Sequence, residues 1–166
     1  MKTLYIVRHA KSSWKDSGIA DVDRPLNKRG NRDAPFMGNL LFQKGISPDV
    51  MFSSPANRAI TTAEAFATQL NYPQESIIID KNIYEAGIGS LLRTINDVGN
   101  ENSSAMLFGH NPGLTMLSNY LSDKYIDNIP TCAVVGIYLD ITKWEDAADK
   151  CGKLDLFEYP KQYFKK

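Results

Sequence analysis

Short apolar runs alternate along this chain with longer stretches in which apolar residues return every three or four positions. Leu4-Tyr5-Ile6-Val7 is the first run and predicts a buried strand. Ala34, Met37, Leu40 and Leu41 then recur at helical spacing, with Gly45 and Pro48 as stop signals. Val50-Met51-Phe52 predicts a second strand, and Ala59, Ala63, Phe66 and Leu70 a second helix. The β-branched Ile77-Ile78-Ile79 predicts a third strand, and Leu91, Leu92, Ile95 and Val98 a third helical stripe. Ala105-Met106-Leu107-Phe108 predicts a fourth strand, followed by a helix from about Leu114 to Leu121. Runs at 133–141 and 153–160 predict two late strands, paired antiparallel. Strand then helix, repeated, predicts an α/β fold: a three-layer α/β/α sandwich around a mostly parallel central sheet.

That architecture gives meaning to the polar residues that end the strands. Ligands of open α/β sheets bind beyond the carboxyl ends of the strands. Arg8-His9 follows the first strand, Ser53-Ser54 the second and Gly109-His110 the fourth, so parallel neighbours would bring all three to one crevice. His9 and His110 are the only two histidines in the chain. Arg58 falls in the first turn of the helix entered after Ser54-Pro55. Free N–H groups and partial positive charge there suit an anion, and the guanidinium fork matches phosphate geometry. Singly, each residue has a plainer reading: a strand-end ion pair beside a core histidine, a solvated helix arginine, a turn histidine capping the next helix. Together, two arginines and two histidines make a site for a dianion. Phosphoryl transfer needs positive charge around the equatorial oxygens and an in-line nucleophile, and a neutral imidazole can be that nucleophile.

Composition narrows the field. The 166 residues read as one domain, 1–166, with 19 basic and 19 acidic side chains. Zero net charge argues against a broad nucleic-acid or membrane-binding surface while leaving room for a small basic pocket. The apolar stretch after Met1-Lys2 is interrupted by Arg8, so no signal peptide is expected. A cytoplasmic setting follows as the expectation, with Cys132 and Cys151 as reduced thiols. HExxH, paired-cysteine, calcium-loop, P-loop and nucleophile-elbow patterns do not occur, so the expected chemistry uses no metal and no cofactor.

RHA at 8–10, SSPANRAITTAEAF at 53–66 and LFGHNPG at 107–113, in this order, resemble the histidine phosphatase superfamily, with its phosphoglycerate-mutase-like fold. RHAKSSWKD, DVDRPLNKRGNRDA at 21–34 and NIYEAG at 82–87 resemble more specifically the short SixA-type phosphohistidine phosphatases, and the similarity runs to about residue 160. The resemblance implies that His9 is the nucleophile and becomes phosphohistidine. It implies that Arg8, Arg58 and His110 hold the phosphoryl oxygens, that the Ser12 side chain approaches them, and that the backbone at Asn111 is a further donor. Glu85 is the positional candidate for a proton donor. Its plain alternative is a surface carboxylate, since a phosphoramidate leaving as protonated imidazole needs less help. Arg24 and Arg29 are characteristic of the subgroup and are expected to fix a loop through ion pairs with Asp21, Asp23 or Asp33.

One departure bears on substrate. Lys15 follows Trp14 where mutase-like relatives carry asparagine, which weakens a sugar- or glycerate-phosphate reading. Short connections between the motifs leave little room for a lid, and an open cleft suits a protein side chain. The expected substrate is a phosphorylated protein bearing phosphohistidine, with a small phospho compound as the alternative. A phosphate- or phosphoprotein-binding module with little turnover, and a mutase, are the competing classes. Neither nucleic acid nor membrane is expected as a partner, and the sequence assigns no oligomeric state.

Overall fold

The computed structural model describes residues 1–164. Its six strands lie in one sheet: β1 (Lys2–Arg8), β2 (Val50–Ser53), β3 (Ile78–Ile79), β4 (Ser104–Gly109), β5 (Val134–Leu139) and β6 (Gly152–Glu158). The order across the sheet is β3-β2-β4-β1-β5-β6. β4 is parallel to both β1 and β2, and β2 is parallel to β3. β5 runs antiparallel to β1, and β6 antiparallel to β5, as the sequence pattern predicts for the last pair. One strand alone therefore runs against the others.

Four helices cover the two faces: α1 (Lys28–Gln43), α2 (Asn57–Gln69), α3 (Ile88–Asn96) and α4 (Gly113–Leu121). The sheet is apolar on both sides, as a mostly parallel sheet buried between helices must be. Strand alternation sorts its side chains. Leu4, Ile6, Ala105 and Leu107 pack with Leu91 and Ile95 of α3 and Leu114 and Leu117 of α4. Val7, Met51, Met106 and Phe108 pack with Met37 and Leu41 of α1 and Ala63 and Phe66 of α2. Each fully buried side chain of this size contributes about 1.5–3 kcal/mol relative to exposure. The three-layer fold is thus built from the two periodicities visible in the sequence. Among the described residues no helix is long and apolar enough to cross a membrane.

Some boundaries differ from the pattern. The third strand keeps only Ile78 and Ile79, both exposed at the sheet edge, because Ile77 leaves a 3-10 turn at Gln74–Ser76 and packs into the α1/α2 core instead. α3 ends at Asn96, so Val98 lies past the helix while remaining buried. α1 begins at Lys28, ahead of its apolar stripe, because the Asn27 side chain caps it by accepting from Gly30 N at 2.9 Å.

The register places the site. Arg8 lies opposite Gly109, and Ser53 opposite Phe108, at the carboxyl ends of three adjacent parallel strands. The ladder continues one residue further on each side of β4. His9 N donates to Gly109 O at 3.0 Å, and Ser54 N donates to Phe108 O at 3.0 Å.

Candidate active site

Because β4 lies between β1 and β2, His110 leaves the sheet between His9 and Ser54. The two imidazoles stand 5.1 Å apart, centroid to centroid, with their planes tilted by 52°. His9 is buried, and its Nδ1 lies 2.7 Å from the Ala10 carbonyl oxygen. A carbonyl only accepts, so Nδ1 carries the proton and the lone pair sits on Nε2. His110 Nε2 lies 2.8 Å from Ser54 Oγ. Tyr84 packs edge-on against the His110 ring, with centroids 5.6 Å apart.

Both histidines are neutral at ordinary pH. Burial lowers the His9 pKa from 6.5 to about 4, against the pull of the Ala10 hydrogen bond and with help from the charges of Arg58, Arg8 and Arg24. Burial likewise lowers His110 to about 3, with His9 and Arg58 adding to the effect. The positive charge of the pocket therefore belongs to guanidinium and ammonium groups. Arg8, Arg24, Arg58 and Lys11 line a cavity of about 220 Å3 together with His9 and His110, and no carboxylate is among its walls. Four buried side-chain polar atoms lack a partner among the described residues, and three of them belong to this lining: Arg8 Nε, Arg58 Nε and His110 Nδ1. Unsatisfied buried polar atoms are costly, and three of the four belong to residues of this one pocket.

The arginines are held from behind. Arg8 Nη1 donates to Ile129 O at 2.9 Å. Arg58 Nη1 donates to Asp21 O at 2.7 Å, and its Nη2 lies 3.1 Å from Asp21 Oδ2. Arg24 Nε reaches Asp21 Oδ1 at 3.1 Å, its Nη1 donates to Ser12 Oγ at 2.7 Å, and its guanidinium stacks 3.6 Å above the exposed Trp14 ring. Tyr84 donates its hydroxyl to Asp21 Oδ2 at 2.6 Å. That bond first, then those of Arg58 and Arg24, holds the Asp21 carboxyl far below the usual carboxylate range, so Asp21 is a fixed anion and not an acid. Thr62 ties α2 to the residue after His9: its hydroxyl donates to Arg58 O at 2.7 Å and accepts from Ala10 N at 3.0 Å.

The segment after His9 is shaped by the RPLNKRG motif. Ser13 N donates to Pro25 O at 2.8 Å, Asn27 N donates to Lys11 O at 2.9 Å, and Ser12 bridges to Leu26. Gly30 lies against this turn so closely that a Cβ there would overlap the Lys11 carbonyl.

The structure brings together Arg8, His9, Ser12, Arg58, His110 and Asn111 in the walls of one pocket. It does not bring in Glu85, which stands exposed on a turn with φ 52° and is absent from the lining. The Asn111 side chain works locally. It donates to Ile129 O at 2.9 Å and Asn128 Oδ1 at 3.1 Å, and accepts from Thr115 N at 3.1 Å. Arg24 pairs with Asp21, and Arg29 with Asp33 at 3.9 Å, in keeping with the loop-fixing role expected of them, although Arg24 also faces the pocket. Sequence reasoning missed Thr131 and Tyr84. It also missed the segment 122–133, which supplies Ile129 O and Thr131 to the site. Its one signal was position, immediately before a strand whose start packs beside Arg8: Cys132 N donates to both Arg8 O and His9 O, at 3.0 and 3.1 Å. Among the described residues no cluster of three or more His, Cys, Asp or Glu side chains is arranged to hold a metal ion.

Fold and pocket together define an α/β protein with a small cationic pocket at the carboxyl ends of its parallel strands. The profile of the histidine phosphatase superfamily (branch 1) matches residues 4–118, and the chain belongs to that superfamily. An uncharacterized protein of Mycobacterium tuberculosis (strain H37Rv) is 29% identical over 165 residues, covering 93% of this chain and all of that one. The protein histidine phosphatase SixA, solved with tungstate, superposes with a TM-score of 0.80 at 22% identity, over 93% of this chain and 95% of its own. A protein assigned as a SixA phosphohistidine phosphatase, from Agrobacterium tumefaciens, gives 0.79 at 26% identity, over 96% and 99%. Membership in this superfamily and the SixA-type likeness support a phosphatase.

Proposed function

We propose that the chain hydrolyses phosphohistidine on proteins through a covalent phosphohistidine intermediate on His9. The observation that carries this reading is the fixed tautomer of His9: Nδ1 is committed to the Ala10 carbonyl, which leaves the Nε2 lone pair for attack inside a pocket with four cationic walls. The lone pair forms a bond to phosphorus as the P–N bond to the substrate imidazole breaks, and that imidazole leaves with a proton. Water then attacks phosphorus, the P–Nε2 bond breaks, and phosphate and free His9 are restored. Arg8, Arg58 and His110 surround the equatorial oxygens, where charge-assisted hydrogen bonds contribute about 1.5–3 kcal/mol each. Ser12 and the backbone at Asn111 complete the cradle.

The placement of the carboxylates supports the choice of substrate. Asp21 is ionised and engaged, and Glu85 stands outside the lining. A phosphomonoester with a poor leaving group calls for a placed acid worth about 10²–10⁴-fold in rate. A phosphoramidate that leaves as a protonated imidazole does not. No metal or cofactor enters this scheme.

Transfer of labelled phosphoryl from a phosphohistidine peptide tests it. Wild-type protein should carry an acid-labile label, His9→Ala should carry none, and inorganic phosphate should be released. Binding without label or release would make the chain a binding module. A strong preference for phosphoglycerate or a sugar phosphate over the peptide would sink the substrate assignment.

A further inference from the structure

A second groove, of about 770 Å3, adjoins the candidate active site between the start of α1 and the turn at Pro160–Gln162. Thr131 belongs to the walls of both, and Arg29 donates to its hydroxyl at 3.2 Å. The groove is basic. Arg29, Arg32 and Lys161 line it, and its one carboxylate, Asp33, is buried and already paired with Arg32 at 2.8 Å and Arg29 at 3.9 Å. It is also aromatic. Arg32 stacks 3.9 Å over Phe164, which meets Phe36 edge-on at 4.6 Å, and Tyr163 is part of the lining. Apart from Thr131, none of these residues lines the smaller pocket around His9.

We propose that this groove is the docking track for an acidic polypeptide stretch flanking the phosphohistidine. The proposal rests on the reading of His9 as a nucleophile toward protein phosphohistidine. Three features select this occupant. Three cations against one buried, paired carboxylate leave a positive surface that complements glutamate or aspartate. Continuity through Thr131 means that a chain delivering its phosphohistidine to His9 has its neighbouring residues at the groove. The groove is also several times larger than the phosphoryl pocket, enough for flanking side chains.

The test uses matched peptides with glutamate or glutamine flanks, each prepared with phosphohistidine and with plain histidine. Wild-type protein should bind the plain glutamate peptide at least about tenfold more tightly than the glutamine one, and the difference should shrink as salt rises. The double variant Arg32→Gln/Lys161→Glu should lose that preference, while its hydrolysis of a small aryl phosphate stays within about twofold of wild type. A second variant, Lys161→Glu alone, removes no partner from buried Asp33 and, carrying two of the three charge units changed, should show about two-thirds of the logarithmic loss. Equal binding of both plain peptides by wild type, or equal losses on peptide and aryl phosphate in both variants, would overturn the proposal. So would a wild-type dimer that Lys161→Glu dissociates with peptide affinity unchanged, since the groove would then serve a second copy. If the plain glutamate peptide binds as expected but neither phosphohistidine form is hydrolysed, docking stands and the substrate reading fails.

Discussion

The sharpest consequence of a buried pair of neutral histidines is a loss of stability in mild acid. The perturbation is His9→Asn, which removes one titrating group and keeps a polar side chain. In the unfolded chain His9 takes up a proton near pH 6.5, whereas in the folded chain it does so only near 4. Between those values the unfolded state binds more protons than the folded state, so stability falls as pH falls. With these two pKa values, wild type at pH 5 should be about 2 kcal/mol less stable than at pH 7.5 on account of His9 alone. His9→Asn should escape that part and keep the similar contribution of His110. Urea unfolding at the two pH values reads the difference. With an m-value of about 2 kcal/mol/M, the wild-type midpoint should fall about 1 M further than that of the variant. Arg58→Gln serves as a second arm. Burial leads the shift and Arg58 only adds to it, so most of the pH dependence should survive that change. Parallel curves for wild type and His9→Asn would refute the claim that His9 is buried neutral. Disappearance of the effect in Arg58→Gln would show that charge, not burial, keeps it neutral.

Arg58→Ala should lower kcat/KM on a phosphohistidine peptide by about 10²–10³-fold, and Arg58→Lys should recover little, because an ammonium cannot reproduce the fork fixed by Asp21; steady-state kinetics decide, and near-full activity of the lysine variant would contradict the role given to that geometry. Glu85→Gln should leave phosphohistidine hydrolysis within about threefold of wild type, since Glu85 lies outside the pocket lining; a loss of 10² or more would identify it as the missing acid. Tyr84→Phe removes the 2.6 Å bond to Asp21 and should lower kcat several-fold, with circular dichroism unchanged and the 1H resonances of His110 shifted; unchanged kinetics and resonances would mean that Asp21 needs no such brace. Gly30→Ala sets a methyl group against the Lys11 carbonyl and should cost about 1–3 kcal/mol in denaturant unfolding, with activity reduced through the displaced 11–14 turn.

The parts of the site legible in the sequence were those set by local rules. Apolar runs end where Arg8, Ser54 and His110 begin, and parallel pairing does the rest, so the pattern alone predicts one crevice for RHA, SSPANR and GHNPG. What stayed hidden depends on contacts between distant segments. Asp21 meets Arg58 across 37 residues and Tyr84 across 63, and nothing periodic marks either partner. Arg8 finds Ile129 O across 121 residues, in a connection without apolar rhythm that the pattern could only leave as a loop. The third strand is shorter than its pattern predicts for a similar reason. Three isoleucines satisfy β propensity equally, and only the turn at Gln74–Ser76 and the sheet edge decide that Ile77 packs inward and the other two pair.

The division of labour in the pocket follows from these contacts. Had the histidines supplied the positive charge, protonation would have taken up the His9 Nε2 lone pair on which the proposed attack depends. Here burial keeps both imidazoles neutral, and guanidinium groups, which stay protonated at any ordinary pH, carry the charge. Charge of one sign packed together is costly, and the fold offsets it without filling the pocket. Backbone carbonyls of Ile129 and Asp21 take the outer guanidinium nitrogens, and the single carboxylate touching Arg24 and Arg58 is half-exposed and outside the lining. A carboxylate inside the pocket would compete with a phosphoryl dianion for the same donors. One behind it fixes the arginines in place while the inner face stays positive, so most of the reorganisation that an arriving phosphoryl group would otherwise require is already complete.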